Sequence, residues 1–240
     1  MNIKDNWLSR IVLFSIVVFI AATPAWLNQV NAGPIQKTLQ DAFMDASKGN
    51  SDAGEHVLSA LESLLIQYPE DALLTAYYGS AMSMKARDAW FPWNRQKFSK
   101  IGVDSLNKSL NQLSTESFNK PYYGLNEGLY IQSLAAITFI SLPESLDQRE
   151  RGFAMLKDMM ASEELGYYPF GPRAWIHIDA VKAAINMEDQ STATKWANEM
   201  QRLAPTHPYT QQALELVENQ PVFLKIRNFL PIAVVYIPRP

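Results

Sequence analysis

Side-chain chemistry needs particular residue types at particular spacings, and the histidines are the first to inspect. The chain holds three, His56, His177 and His207. They lie in separate segments, with no partner at i+4 and no HExxH pattern, so no pair projects from one helix face toward a metal ion. The adjacent acids Glu163 and Glu164 point to different faces of a helix end and cannot converge on one bond. No GxSxG elbow and no glycine-rich phosphate loop is present. With no cysteine there is no thiolate nucleophile, haem attachment or disulfide. The sequence thus offers no catalytic, cofactor-binding or metal-binding residue, and the expectation is a non-catalytic protein that uses no cofactor. His177, beside Trp175, Ile176 and Ile178 with Asp179 two residues on, is expected to be partly buried.

The residue types that remain are aromatic. Residues 90–97 read WFPWNRQK and residues 167–173 read YYPFGPR, so rings flank a proline just before an arginine twice. Large aromatics beside arginine are the composition of binding hot spots, and proline lowers the ordering cost of a surface segment. The same rings can instead fill gaps between helices. Trp90 and Phe91 are expected to plug such gaps. Trp93, Arg95, Tyr167, Tyr168, Phe170 and Arg173 are the candidate partner-binding residues, with packing left open as the other role of Trp93, Arg95 and Arg173.

Helices must position these segments. Nearly every stretch from Pro34 to Gln220 carries apolar residues at i, i+3, i+4 and i+7, interrupted by Pro, Gly or Asn every fifteen to twenty residues. Ser51-Asp52 caps a helix with Val57, Leu58, Leu61, Leu64 and Leu65 on one face, and Tyr68-Pro69 ends it. A second helix starts near Asp71. Others are expected near 96–114, 122–140, 145–160, 172–188, 190–204 and 208–219. Short connections make neighbouring helices antiparallel. Tyr-Tyr-Gly recurs in LLTAYYGSA (73–81) and FNKPYYGLN (118–126), 45 residues apart, as an internal repeat would place it. The stretch Arg87 to Arg95 reads as an enlarged connection.

Ala193, Ala197, Met200 and Pro205 in TATKWANEMQRLAPTHP stand at the spacing that closes a tetratricopeptide repeat, and Val57, Leu61, Leu64 and Pro69 share it with larger residues. Tyr78-Gly79 matches the apolar-glycine pair of the first repeat helix, although no tryptophan precedes it at the expected distance. The chain therefore resembles a degenerate tetratricopeptide-repeat (TPR) protein. The resemblance implies an all-α fold, a right-handed α-solenoid of antiparallel hairpins over residues 33–219. It also implies a groove or edge that holds a protein or peptide segment. Alternate connections of a solenoid emerge on one edge, so the two aromatic segments are expected on a common surface. A rival reading is a carrier of a small apolar or aromatic molecule, with a cavity lined by Trp90, Trp93, Tyr167 and Phe170.

Compartment rests on the first residues. Lys4 and Arg10 precede the apolar run Ile11 to Ala22, and Val30-Asn31-Ala32 before Gly33 has the small-residue spacing of a signal-peptidase site. Residues 1–32 thus read as a signal peptide of a periplasmic or secreted protein; the alternative is a membrane anchor over residues 11–27, near the lower limit of a span. From Gly33 the chain carries 19 basic and 23 acidic residues. A mildly acidic surface gives no footprint for nucleic acid, so the expected partner is a protein or peptide of the cell envelope. The tail 220–240, PVFLKIRNFLPIAVVYIPRP from Pro221, ends in an uncharged run with β character and is expected to be non-helical. It reads as a cap on the helical domain or as an arm received elsewhere. Membrane contact is expected only through this tail or an uncleaved N-terminus. Protein recovered from its native host should begin near Gly33; N-terminal sequencing that finds Met1 on membrane-bound material would overturn the export reading.

Overall fold

Polar residues just ahead of apolar runs start most of the helices. The computed structural model describes residues 35–219, and the signal segment and tail read from the sequence lie outside the described residues. Eleven α-helices and one two-stranded hairpin occupy the described residues. Helix α1 spans Lys37–Ser47, α2 Ser51–Gln67, α3 Ala72–Asp88 and α4 Pro92–Asn111. The short α5, Thr115–Asn119, leads into strands β1 (Pro121–Tyr122) and β2 (Leu125–Asn126). Then follow α6 (Glu127–Ser141), α7 (Arg149–Ala161), the one-turn α8 (Glu163–Gly166), α9 (Phe170–Asn186), α10 (Gln190–Leu203) and α11 (Pro208–Glu218).

Asn50, Asp71, Asn126, Ser162 and Asp189 each accept a hydrogen bond from a first-turn amide of α2, α3, α6, α8 and α10. These bonds satisfy donors that the helix itself leaves unpaired. Pro92 and Pro208 open α4 and α11, where the missing N–H costs nothing.

The helices divide into two kinds. In α3, α6 and α9, 13 of 17, 13 of 15 and 11 of 17 residues are buried. Helices α4, α7 and α10, which each follow one of these, bury four apiece. The first kind therefore forms an inner layer and shows little amphipathic pattern, whereas the second presents one face to it.

Hydrogen bonds fix the directions. Lys108 and Ser109 at the end of α4 donate to the Pro69 and Ala72 carbonyls at the start of α3, which makes the two antiparallel. Arg87 at the end of α3 donates to the Ala46 and Ser47 carbonyls at the end of α1, so those two run parallel. Tyr77 and Ser80 of α3 bond to Tyr130 and Thr138 of α6, again in parallel.

Small residues sit where an outer helix crosses its inner partner. A Cβ on Gly79 of α3 would come 2.8 Å from the Leu106 side chain and 2.9 Å from the Gly102 carbonyl of α4. On Gly152 of α7 it would come 2.6 Å from the Ala136 carbonyl of α6. Ala193 and Ala197 of α10 are buried on the corresponding face.

Three expectations about the elements are corrected. The stretch 87–95 is not an enlarged connection: α3 continues to Asp88 and α4 begins at Pro92, leaving only Ala89 to Phe91 between them. Phe91 is extended, as a residue before proline prefers, so the helix starts at the proline itself. The helix expected near 122–140 begins at Glu127, because Tyr123 and Gly124 take positive φ and turn β1 back onto β2. The Tyr-Tyr-Gly recurrence is accordingly no structural repeat, being mid-helix at 77–79 and a hairpin turn at 122–124. Helices α1, α5 and α8 are not among those expected from the sequence.

Gly102→Ala should destabilise the protein by about 1–3 kcal/mol, since its Cβ would lie 2.8 Å from the Gly79 carbonyl oxygen. Gly54→Ala in α2 should stabilise by about 0.5–1 kcal/mol, the new methyl making ordinary contact 3.8 Å from the Ala46 Cβ. Thermal melting checks the pair; equal shifts in one direction would refute the close α3–α4 approach.

Candidate functional site

The two aromatic segments open helices of different kinds. Trp90 and Phe91 follow inner helix α3 and lead into outer helix α4, whereas Tyr167 to Pro169 follow outer helices and lead into inner helix α9. Asn126, at the start of α6, donates to Glu164 Oε1 (2.7 Å) and Tyr168 Oη (2.9 Å), which aligns the starts of α6 and α9. The inner helices are thus parallel, and the two segments lie at opposite ends of them. The expected common surface does not form, and neither does a cavity lined by Trp90, Trp93, Tyr167 and Phe170.

At the first end the rings are exposed: Trp90 by 86%, Phe91 by 46% and Trp93 by 65%. The reading of Trp90 and Phe91 as plugs is corrected by these exposures, since a three-residue connection leaves no gap to fill. Phe91 and Trp93 stack with centroids 4.7 Å apart and planes 15° apart. Arg95, exposed on the first turn of α4, donates to the Ala89 carbonyl at 2.7 Å and braces the connection. The result is an aromatic shelf held in place by one proline and one arginine.

At the second end most of the same residue types pack inward. Tyr167 is 79% exposed, but Tyr168 and Phe170 are half-buried and Arg173 is only 8% exposed. As an outward-facing contact for a partner, Arg173 is therefore corrected. Phe170 packs edge-on against His207 at 5.2 Å, and the Arg173 guanidinium lies 6.0 Å from the Phe170 ring. The hairpin turn closes on this end, where a Cβ on Gly124 would come 2.7 Å from Pro172. Lys120 and buried Glu127 form an ion pair at 2.6 Å beside it.

Helix α9 carries the buried ionisable groups. His177 is 2% exposed; burial, helped by the Arg173 charge, pulls its pKa down to about 4. Asp179 points one oxygen at Lys182 Nζ (3.1 Å), and burial raises its pKa to about 6 against the opposing pull of that ammonium. His56 is exposed, and His207 serves as the N-cap of α11, its Nδ1 accepting from the Tyr209 amide. Among the described residues no three His, Asp or Glu side chains group as metal ligands would. A cleft of about 270 Å³ between α6, α7 and α8 is lined by Leu129, Gln132, Met155, Asp158, Met159, Ser162 and Glu164.

Sequence reasoning missed the polar groups hidden in apolar helices. Gln40, Tyr77, Tyr122 and Tyr130 form one buried hydrogen-bonded cluster. Its only visible signal was tyrosine within otherwise apolar runs.

The two shifts on α9 act oppositely on stability. Unfolded Asp179 binds its proton less tightly than folded Asp179, so this group lowers stability as pH rises from about 4 to about 6. Unfolded His177 binds its proton more tightly, so this group raises stability as pH rises from about 4 through its ordinary value of 6.5. In the native chain the two slopes largely cancel. Asp179→Asn should melt higher than the native protein at pH 7, by up to about 3 kcal/mol in stability, and should lose stability more steeply below pH 6. Melting curves from pH 4 to 7 that show equal slopes for the two proteins would contradict this account. Comparison with protein families, with curated proteins and with solved structures returns no match for this chain.

Proposed function

We propose that the protein is a non-catalytic, exported, TPR-like helical repeat protein that holds a protein or peptide partner in the cell envelope. The supporting architecture is the pairing of inner helices α3, α6 and α9 with outer helices α4, α7 and α10 through small-residue crossings. On this reading the hairpins form a right-handed solenoid, and the spacing of Ala193, Ala197, Met200 and Pro205 is the residue of a repeat signature. Among the described residues no helix is long and apolar enough to cross a membrane. Export rests on residues 1–32 of the sequence.

The observation that carries the binding role is the exposed stack of Phe91 on Trp93 beside Trp90. Large exposed rings destabilise nothing when removed and attract association when present, so a patch of this kind marks an interaction surface. Its rings are held by Pro92 and by the Arg95 bond to Ala89, which lowers the ordering cost of binding. The partner-facing set is therefore Trp90, Phe91, Trp93 and Arg95.

Trp90→Ala with Trp93→Ala should leave thermal stability nearly unchanged, within about 0.5 kcal/mol per site as for other exposed substitutions. A photo-crosslinking residue at position 93 should give a discrete adduct in the native envelope, and one at exposed Ser59 of α2 should not. A melting loss of several degrees would make the rings structural. Absence of any adduct specific to position 93 would remove the shelf as the binding surface.

A further inference from the structure

One face of α9 holds a positive charge and two hydrogen-bond donors that have no acceptor. Arg173, 8% exposed, places Nη1 3.3 Å from His177 Nε2, and its Nε bonds to nothing. Among the described residues no carboxylate lies within ion-pair distance of it. The nearest charge of opposite sign, Glu199 of α10, is held by both Nε and Nη2 of Arg202.

Arginine can only donate, so His177 Nε2 must accept. The ring is then neutral, with its proton on Nδ1. That Nδ1 is also buried and also without a partner. The missing group is therefore not any polar group but an acceptor, and a guanidinium attracted only at longer range by Glu199, which Arg202 already holds, favours a negative one.

The surroundings agree. Phe170, Arg173 and His177 follow one another at i, i+3 and i+7 and share a face. That face leads to the start of α9, which has no side-chain cap. Its N-cap is Pro169, and Pro172 brings no N–H, so Phe170 and Gly171 supply the free amides of the first turn at the positive end of the helix dipole. Phe170 and His207 wall the face on one side.

We propose that this face binds an oxyanion, a carboxylate or a phosphate, with Arg173 as its counter-charge and His177 Nδ1–H as a second donor. The site lies at the end of the inner helices away from Trp90, and it does not rest on the partner-binding reading.

The test uses the full mature chain at pH 7, with sodium phosphate, sodium acetate and sodium chloride compared at equal ionic strength. Two readouts are followed: the melting temperature and the ring-nitrogen resonances of His177. A saturable shift in both with phosphate alone identifies a phosphate-type ligand, and with acetate alone a carboxylate. A shift with both identifies a site for either oxyanion. Arg173→Gln should weaken the effective anion at least about tenfold, as loss of a charged hydrogen-bond partner does. Should that variant not fold, His177→Phe, which keeps a ring of similar shape, should also weaken it. The proposal is overturned if neither anion moves the His177 resonances beyond chloride, or if a folded Arg173→Gln retains the native response.

Discussion

Three phenol hydroxyls meet at Tyr77, and the arrangement of the inner layer follows from satisfying them. Gln40 Nε2 donates to the Tyr77 hydroxyl from α1, while the hydroxyls of Tyr130 on α6 (2.8 Å) and Tyr122 on β1 (3.1 Å) complete its bonding. A buried hydroxyl left unpaired costs about 1–3 kcal/mol, whereas each bond made contributes a net of only about 0.5–1.5. The cluster therefore adds modestly to stability and discriminates strongly between registers. Sliding α6 along α3 by one residue would orphan several groups at once, and Ser80 and Thr138, bonded at 2.9 Å, would part as well. Burial raises the pKa of all three tyrosines, which favours the uncharged form of the cluster.

The rings of the same cluster extend the constraint beyond the hydroxyls. Phe43 of α1 meets Tyr77 edge-on at 4.7 Å, Tyr77 stacks on Tyr130, and Tyr130 tilts against Trp175 of α9 at 5.4 Å. One aromatic row thus crosses four parallel helices. Outer helices then dock where small residues let the backbones approach, at Gly79 with Gly102 and at Ala136 with Gly152. Large residues set the spacing within the inner layer, and small ones set the distance between layers.

This division explains what the sequence made legible. Helices α2, α3, α9, α10 and α11 could be placed to within a few residues because proline or a capping side chain marks their ends. The outer helices show an apolar stripe, which periodicity detects. The inner helices are apolar nearly all round, so periodicity shows that they exist but not which residue faces which neighbour. His177, set among Trp175, Ile176 and Ile178, could be expected to lie partly buried and does, whereas Arg173, expected to face outward, is buried beside it. The hairpin at 121–126 was read as helix because its turn depends on positive φ at Tyr123, a conformation that tyrosine does not advertise. Tyr77 and Tyr122, mistaken for equivalent repeat positions, do meet, but as hydrogen-bonded partners from a helix and a strand.

The two aromatic-proline segments show how helical register turns one composition into two environments. Inner-facing positions of α4 are Ser99, Gly102, Leu106 and Ser109. At about 100° per residue, Trp93 lies six positions before Ser99 and so about 240° round the helix, pointing away from α3. Phe170 lies seven positions before buried His177, within about 20° of the same direction, and is drawn under the α10–α11 connection against His207. Proline stands at the first residue of α4 and one residue ahead of α9, so equivalent letters fall on different faces. The outward rings of the first segment have no packing role that would retain them. The inward ring of the second brings Arg173 with it, three residues on, and that shared register is what places an unpaired guanidinium inside the domain.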